Sequence, residues 1–204
     1  MKKTLFYALA FAGCCGATTS ADLVITESYG GVSGDDGTPD WFELTNLGST
    51  DVSTAGLYYD DESADSDDMV ALTEMTIAAG ESVIFLIDNP SSMTAGAFNE
   101  FWGVSGVRVG YADGSGLKEG DTAWLYNENI SDWFTSLEIV DVDDAYETTQ
   151  FGSTLSSVLT GQFYSSGSAE VGPLLGDPGS FTIPAPGAFA LMALGGLISR
   201  RRQR

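Results

Sequence analysis

The segment Trp41-Phe-Glu-Leu-Thr-Asn46 alternates between two kinds of side chain. Successive residues of a β-strand point to opposite faces, so Phe42 and Leu44 share one face while Trp41, Glu43 and Thr45 share the other. An apolar face beside a mixed face is typical of a strand inside a packed sheet. The segment therefore predicts a strand with its apolar side toward a core.

Similar patterns occur on both sides of this segment. Residues 22–29 are rich in β-branched side chains, and the continuous apolar run at residues 82–87 is typical of a central, buried strand. Turn signals recur about every 8–15 residues, which is the rhythm of an antiparallel sandwich. Further strands are predicted at residues 56–59, 70–72, 76–77, 107–111, 123–127, 133–140 and, more weakly, 155–164. We expect residues 172–180 to be an extended terminal segment that leads to the C-terminal tail.

One short helix is predicted between Ser92 and Trp102. Either Ser91 or Ser92 would cap its first turn, because a serine hydroxyl can accept from a free backbone N–H there. Phe98, Phe101 and Trp102 would share one helical face. The predicted class is thus all-β: an antiparallel β-sandwich with one short helix.

The N-terminus has the pattern of a secretory signal peptide. Lys2 and Lys3 precede an apolar core at residues 5–12, and small residues follow up to a cleavage site after Ala21. Export by the Sec machinery is expected. The alternative is an uncleaved anchor helix, but the apolar core is shorter than the ~20 residues a span needs.

Both cysteines of the chain lie inside this signal. Phe11-Ala-Gly-Cys14 is similar to a lipoprotein box, although Phe11 stands where leucine is usual, so lipidation of Cys14 stays open. Cleavage after Ala21 would leave a mature chain without cysteine and hence without disulfides. The exported domain must then be stabilised by its core.

The C-terminus has a second pattern, in which a proline motif, an apolar segment and an arginine cluster follow one another. This order resembles the PEP-CTERM sorting signal, with Ala185 at the position where that signal usually has glutamate. The resemblance implies recognition by an exosortase, transient membrane anchoring, removal of the tail, and transfer to the cell surface or its matrix. The alternative is a C-terminal core helix with a basic end. The residues that carry the motif are Pro184, Ala185, Pro186, Gly187, Arg200, Arg201, Arg202 and Arg204.

The charge of the chain is concentrated in its middle. The formal net charge is −21, and all 29 acidic residues lie between Asp22 and Asp177. Arg108 and Lys118 are the only basic residues in that region, so no basic patch exists for phosphates and nucleic-acid binding is excluded. The chain has no histidine, which excludes Ser-His-Asp and Cys-His catalysis. Pairs of acidic side chains are the remaining candidates for catalytic residues.

The central region resembles the lamin tail domain. The resemblance rests on Pro39-Asp-Trp-Phe-Glu-Leu-Thr-Asn46, on Gly56-Leu-Tyr-Tyr-Asp60, on Thr76-Ile-Ala-Ala-Gly-Glu81, and on Gly120-Asp-Thr-Ala-Trp-Leu-Tyr126. It covers residues 22–141 and implies an immunoglobulin-like β-sandwich that acts as an interaction or attachment module. The family has no catalytic motif to transfer, so no enzymatic activity is expected.

Two acidic clusters are candidate calcium sites, because flexible loops of oxygen ligands suit that ion. They are the loop at residues 60–68 and the group Asp141, Asp143 and Asp144, with Glu147 nearby. The alternative for both is a solvated acidic surface, and no cofactor is expected.

The four tryptophans suggest a further pair of alternatives. Trp41, Trp102, Trp124 and Trp133 could provide stacking platforms for sugars, with or without carboxylate catalysis of glycoside hydrolysis. They fit better as core or rim residues of a sandwich. A calcium- or glycan-binding surface module is therefore the alternative to a purely structural role.

Three segments result from these patterns: a signal peptide at 1–21, a lamin-tail-like sandwich at 22–181, and a sorting or anchor segment at 182–204. The two terminal segments would form hydrophobic helices that flank the sandwich. The expected protein is exported, non-enzymatic, and located at the cell surface or in the extracellular matrix. Its expected partners are the exosortase, the membrane for a time, and exopolysaccharide or envelope components.

Overall fold

The computed structural model describes residues 23–30, 37–61, 67–118, 120–127, 133–139, 149–150, 163–164 and 174–181. Its strands, in chain order, are β1 Leu23–Tyr29, β2 Trp41–Asn46, β3 Val52–Ser53, β4 Leu57–Asp60, β5 Val70–Ala71, β6 Thr76–Ile77, β7 Ser82–Leu86, β8 Val109–Tyr111, β9 Thr122–Asn127, β10 Trp133–Glu138, β11 Thr149–Gln150, β12 Phe163–Tyr164 and β13 Leu175–Gly176. One helix, α1 Ala95–Trp102, lies between β7 and β8.

Two sheets form the body of the fold. The larger sheet has the strand order β11-β1-β2-β7-β8, and the smaller one has the order β10-β9-β4-β5. Two short pairs, β3-β6 and β12-β13, complete the described strands. The predicted all-β sandwich with one short helix is confirmed.

The main core lies between the two sheets. Phe42 on β2 stacks on Phe85 of β7 and on Tyr59 of β4, with 5.4 Å between ring centroids in each pair. Leu44 joins the same core, as the alternation of β2 predicts. Because Tyr59 belongs to the smaller sheet and Phe42 and Phe85 to the larger one, this aromatic stack joins the two layers.

The opposite face of the larger sheet is also buried. There Tyr29, Trp41, Phe98 and Trp102 form an aromatic cluster, and all four are inaccessible to solvent. The centroid of Trp41 lies 5.3 Å from that of Trp102 at an interplanar angle of 87°, an edge-to-face geometry that aromatic pairs favour. Helix α1 therefore covers the second face of the sheet and makes β2 an interior strand on both sides.

Helix α1 begins later than the sequence predicts. Its N-cap is Thr94, whose hydroxyl accepts from the N–H of Ala97 at 3.2 Å, so neither Ser91 nor Ser92 caps the helix. Ser91 and Ser92 instead form a turn around Asn89, whose side-chain and backbone oxygens accept from them. The predicted face is confirmed at Phe98 and Trp102, which are buried, while Phe101 is half-buried.

One strand pair differs from the predicted antiparallel pattern. β8 pairs with β7 in parallel, with Ile84 opposite Val109, whereas the other described pairs are antiparallel. Parallel neighbours need a crossover, and the connection through α1 provides it. The connection through α1, which also covers the sheet, thus allows β8 to lie parallel to β7.

Residues 174–181, called the strap below, pack against the rest of the fold. Leu174 is fully buried against the aromatic cluster, and β13 pairs with β12. Asp177 is also buried. Local sequence patterns do not show where the strap packs, because its hydrogen bonds are made to strands 136 and 150 residues earlier in the chain.

No helix within the described ranges is long and apolar enough to cross a membrane. The signal peptide with its cleavage site at Ala21, Cys14, and the sorting motif between Pro184 and Arg204 lie outside the described residues.

Candidate functional site

Three acidic side chains lie together beneath the strap. Glu27 on β1 and Glu43 on β2 are directly opposite each other in the antiparallel pair. Asp177 of the strap lies over them, and each of the three is at most 3 % exposed. We call this group the carboxylate site.

A β-bulge in β1 shapes this site. Ile25 pairs with Leu44 and Glu27 with Glu43, so Thr26 is an extra residue on β1. Its hydroxyl reaches Oε1 of Glu43 at 2.5 Å. The bulge thus places an additional hydroxyl group beside Glu43.

A chain of hydroxyl groups runs from Glu43 toward the edge of the site. Thr26 Oγ1 lies 2.6 Å from Thr45 Oγ1, which lies 2.6 Å from Ser82 Oγ. Thr45 Oγ1 also donates to Glu43 Oε1 at 3.3 Å. Since either oxygen can be the donor in the Thr26–Thr45 and Thr45–Ser82 bonds, the chain can adapt to a protonated or an ionised Glu43.

The backbone of the strap supplies the other hydrogen bonds of the site. The N–H of Asp177 donates to Glu27 Oε1 at 3.1 Å, and the N–H of Gly179 donates to Glu43 Oε2 at 2.6 Å. These bonds span 150 and 136 residues of sequence. They tie the last described segment to the first two strands.

The environment favours the neutral form of Glu43. Burial raises the pKa of Glu43, and the negative charge of Asp177 raises it further. The hydrogen bonds from Thr26, Gly179 and Thr45 act in the opposite direction but do not reverse the shift. Glu43 is therefore a buried acid whose neutral form is favoured mainly by its burial.

A second acidic region lies on the smaller sheet. Asp60, Asp61 and Asp68 line an open cavity of about 470 Å³ together with Tyr59 and Ser115. The hydroxyl of Tyr59 donates to the carbonyl of Ser115 at 3.1 Å, and burial, with the nearby charge of Asp61, raises the pKa of that phenol. Asp60, Asp61 and Asp68 belong to the predicted calcium loop at residues 60–68. Residues 62–66 of that loop lie outside the described residues.

Calcium binding gains no support from this geometry. Within the described ranges, no group of three or more acidic side chains is arranged to hold a metal ion. The other candidates, Asp141, Asp143 and Asp144, lie outside the described residues, as does Glu147. Calcium binding stays a prediction.

The four tryptophans separate into two pairs. Trp41 and Trp102 are fully buried in the aromatic cluster, so they cannot contact a ligand. Trp124 and Trp133 are neighbours on β9 and β10, with 4.9 Å between centroids and 58° between ring planes, and Trp133 is 46 % exposed. Since only one ring is well exposed and the two planes diverge, the pair does not form a flat platform for a sugar chain.

Comparison with protein-family models gives no match, and no curated protein matches the sequence significantly. The chain's chemistry must therefore be inferred from its own residues.

The carboxylate site was not predicted from the sequence, although one signal for it exists. Glu43 stands in an apolar, aromatic segment on a strand that has every sign of an interior position. A glutamate there needs a buried hydrogen-bonding partner, because an unpaired buried carboxylate is very costly. The identity of the partners, Thr26 from the bulge and Gly179 from the strap, depends on long-range packing that no local pattern encodes.

Proposed function

We propose that this chain is an exported, exosortase-sorted protein of the cell surface or extracellular matrix, with a lamin-tail-like sandwich that serves as a non-enzymatic structural or interaction domain. The observation that carries the proposal is the ordered motif at the C-terminus: Pro184-Ala-Pro-Gly187, an apolar segment at residues 188–198, and arginines from Arg200 onward. The lysine-led apolar N-terminus supports the same destination.

The tail would act as a temporary anchor. Residues 183–198 rise only about 24 Å as a helix, short of the ~30 Å hydrocarbon core, so arginines would have to reach back to the inner surface. The positive-inside preference would keep those arginines in the cytoplasm and leave the sandwich outside. Cutting near the proline motif would then release the sandwich from the membrane.

A structural role fits the chemistry of the body. The chain lacks histidine, and the carboxyl groups of Glu27 and Glu43 accept hydrogen bonds in a closed interior. Glycoside hydrolysis needs a carboxylate pair that flanks its substrate in an accessible cleft. The strong negative charge of the body favours solubility and neutral or cationic partners. Neither calcium nor glycan binding has an observation that favours it over this role.

The test is expression of the full chain in a bacterium that has an exosortase. We expect the wild-type chain to lose its C-terminal tail by intact-mass measurement, and its body to be digested by protease added to intact cells. Replacing Arg200, Arg201, Arg202 and Arg204 together by alanine removes the positive end. The expected result is an uncut chain, largely absent from the surface.

Lys118→Ala is the matched control, because it removes a body cation whose side chain is 72 % exposed and whose partner Asp121 is 3.8 Å away. This variant should be processed like the wild type. A wild-type chain that stays in the cytoplasm with its tail intact would overturn the proposal.

A further inference from the structure

The first strand starts at one end of the larger sheet, which we call the tail end. Leu23, the first residue of β1, is opposite Asn46, the last residue of β2. The N–H of Asn46 donates to the carbonyl of Glu81, and its carbonyl accepts from the N–H of Gly80. The turn that precedes β7 therefore lies at the tail end as well.

The strap also reaches the tail end. Gly179 lies against Val107, which is two residues before β8. β8 is parallel to β7, with Val109 opposite Ile84, so Val107 is level with the first residues of β7. Along the strands, this is about one residue from the level of Leu23. The first strand and the last described segment therefore leave the sandwich at the same end.

The tail end has little charge. Its loops are residues 47–51, 78–81 and 103–108. Asp51, Glu81 and Arg108 are the charged residues of these loops, and Arg108 forms an ion pair with Glu81 at 3.0 Å. The formal net charge of the three loops is thus −1.

The opposite end of the sandwich, called the acidic end, is strongly negative. There the carbonyl of Asp40 accepts from the N–H of Ile87, and its carboxylate accepts from the N–H of Leu117 at 2.7 Å. The described residues of this end are 37–40, 60–61, 67–68, 87–94, 112–118 and 120–121. They contain eight aspartates and one lysine, which gives a formal net charge of −7.

We propose that the tail end faces the surface of an anionic phospholipid bilayer while the C-terminal segment is anchored, and that the acidic end points away from it. This inference rests on the proposed function, in which the apolar residues 188–198 are the anchor. Residues 182–187 separate the strap from that anchor and span at most about 20 Å when fully extended. The tail end is therefore the part of the sandwich that is held nearest to the lipid.

Charge then determines the tilt of the sandwich, which a tether of this length alone does not fix. An anionic bilayer has a negative surface potential, and it repels the acidic end more strongly than the tail end. The six residues of β2 separate the two ends by about 17 Å, about twice the Debye length of ~8 Å at physiological ionic strength. An upright sandwich thus keeps the acidic end outside most of the surface potential.

The test is quenching of a dye on a single cysteine, with the full chain added to phosphatidylglycerol vesicles that contain a phospholipid with a nitroxide on its head group. Cys14 and Cys15, the two cysteines of the chain, are replaced by serine. Ser49→Cys then labels the tail end and Ser91→Cys labels the acidic end. Both serines are exposed, so the two labels are matched. We expect the quenched fraction to be several-fold larger for the label at Ser49.

Phosphatidylcholine vesicles separate the effect of charge from that of the tether. The difference between the two labels should be smaller on these vesicles. On phosphatidylglycerol it should shrink when the salt concentration is raised from about 0.1 M to about 1 M, because the Debye length falls from ~10 Å to ~3 Å. A difference that depends on neither lipid charge nor salt would overturn the electrostatic orientation.

A pair of matched substitutions tests the charge of the protein. Ala78→Glu adds an acid to an exposed position of the tail end and should narrow the difference between the labels on phosphatidylglycerol. Ala97→Glu is the same substitution at an exposed position in the first turn of α1, which begins at the acidic end, and should not narrow it. Equal effects of the two substitutions would contradict the proposed orientation.

Flotation with the vesicles distinguishes failure of this inference from failure of the proposed function. A chain that floats with the vesicles but shows equal quenching at both labels, or stronger quenching at Ser91, overturns the orientation and leaves the anchor standing. A chain that does not float contradicts the anchor and the orientation together. Neither measurement involves an exosortase, so removal of the tail is tested separately in cells.

Discussion

Gly179 is a residue of the strap that lies close to other parts of the fold. Its φ of +84° lies in the left-handed region, and its N–H donates to Glu43. A methyl group at its Cα would collide with the side chain of Val107, on the segment between α1 and β8. Two separate requirements, backbone conformation and space, therefore demand glycine at this position.

At Gly80 the requirement for a left-handed backbone can be measured without the requirement for space. Its φ is +76°, but a methyl group there would meet no atom within 4 Å. Gly80→Ala should lower the free energy of unfolding by about 1 kcal/mol, because only left-handed strain is added. Gly179→Ala should cost about 2–4 kcal/mol, since overpacking is added to the same strain.

Urea unfolding of both variants beside the wild type measures this difference. Equal losses for the two substitutions would mean that the strap adjusts freely around Val107, and would contradict the close packing.

Helix α1 shows how a short element is fixed by its ends. Thr94 caps the first turn, and Gly103 ends the helix with a φ of 68°, donating its N–H back to carbonyls of the last turn. Asn99 then ties the helix to the following chain, because its side chain donates to the carbonyl of Val107 and accepts from the N–H of the same residue. Eight residues are too few for an independently stable helix, so caps and packing maintain it.

Thr94→Ala tests the observed cap against the one that the sequence suggests. Loss of the hydroxyl acceptor should lower the free energy of unfolding by about 1 kcal/mol. Ser92→Ala removes a hydroxyl from the preceding turn, where it donates to the carbonyl of Asn89 at 2.8 Å, and should cost at most a few tenths of that.

Thermal or urea denaturation distinguishes the two cap assignments. A larger loss of unfolding free energy for Ser92→Ala than for Thr94→Ala would indicate that the helix is capped at the position predicted from the sequence.

The elements differ in how far the sequence could predict them. Strands β2 and β7 were predictable, because each contains enough apolar periodicity to define its own burial. The start of α1 was not, since Ser91, Ser92 and Thr94 are all competent caps and the choice depends on where Phe98 and Trp102 meet the sheet. The parallel position of β8 and the strap depend on contacts between distant segments, which local patterns do not contain.

At the scale of the whole molecule, the larger sheet is buried on both faces. The smaller sheet covers one face, and α1 with the strap covers the other. This explains why both faces of β2 are inaccessible to solvent. A sandwich of two sheets alone would leave the outer face of each sheet exposed to solvent. The candidate site could not be predicted for the same reason, because it forms only where this third layer closes over Glu27 and Glu43.

The third layer sets the C-terminal limit of the stable domain and gives a prediction for truncated chains. A chain that ends after residue 181 should unfold at the same urea concentration as the full chain, since every described contact is retained. A chain that ends after residue 173 loses the buried Leu174 and two hydrogen bonds to Glu27 and Glu43. The expected loss is at least about 5 kcal/mol, comparable to the entire stability of many domains, so this chain should be largely unfolded. Equal unfolding curves for the two truncations would show that the strap is dispensable, and the domain would then end before residue 174.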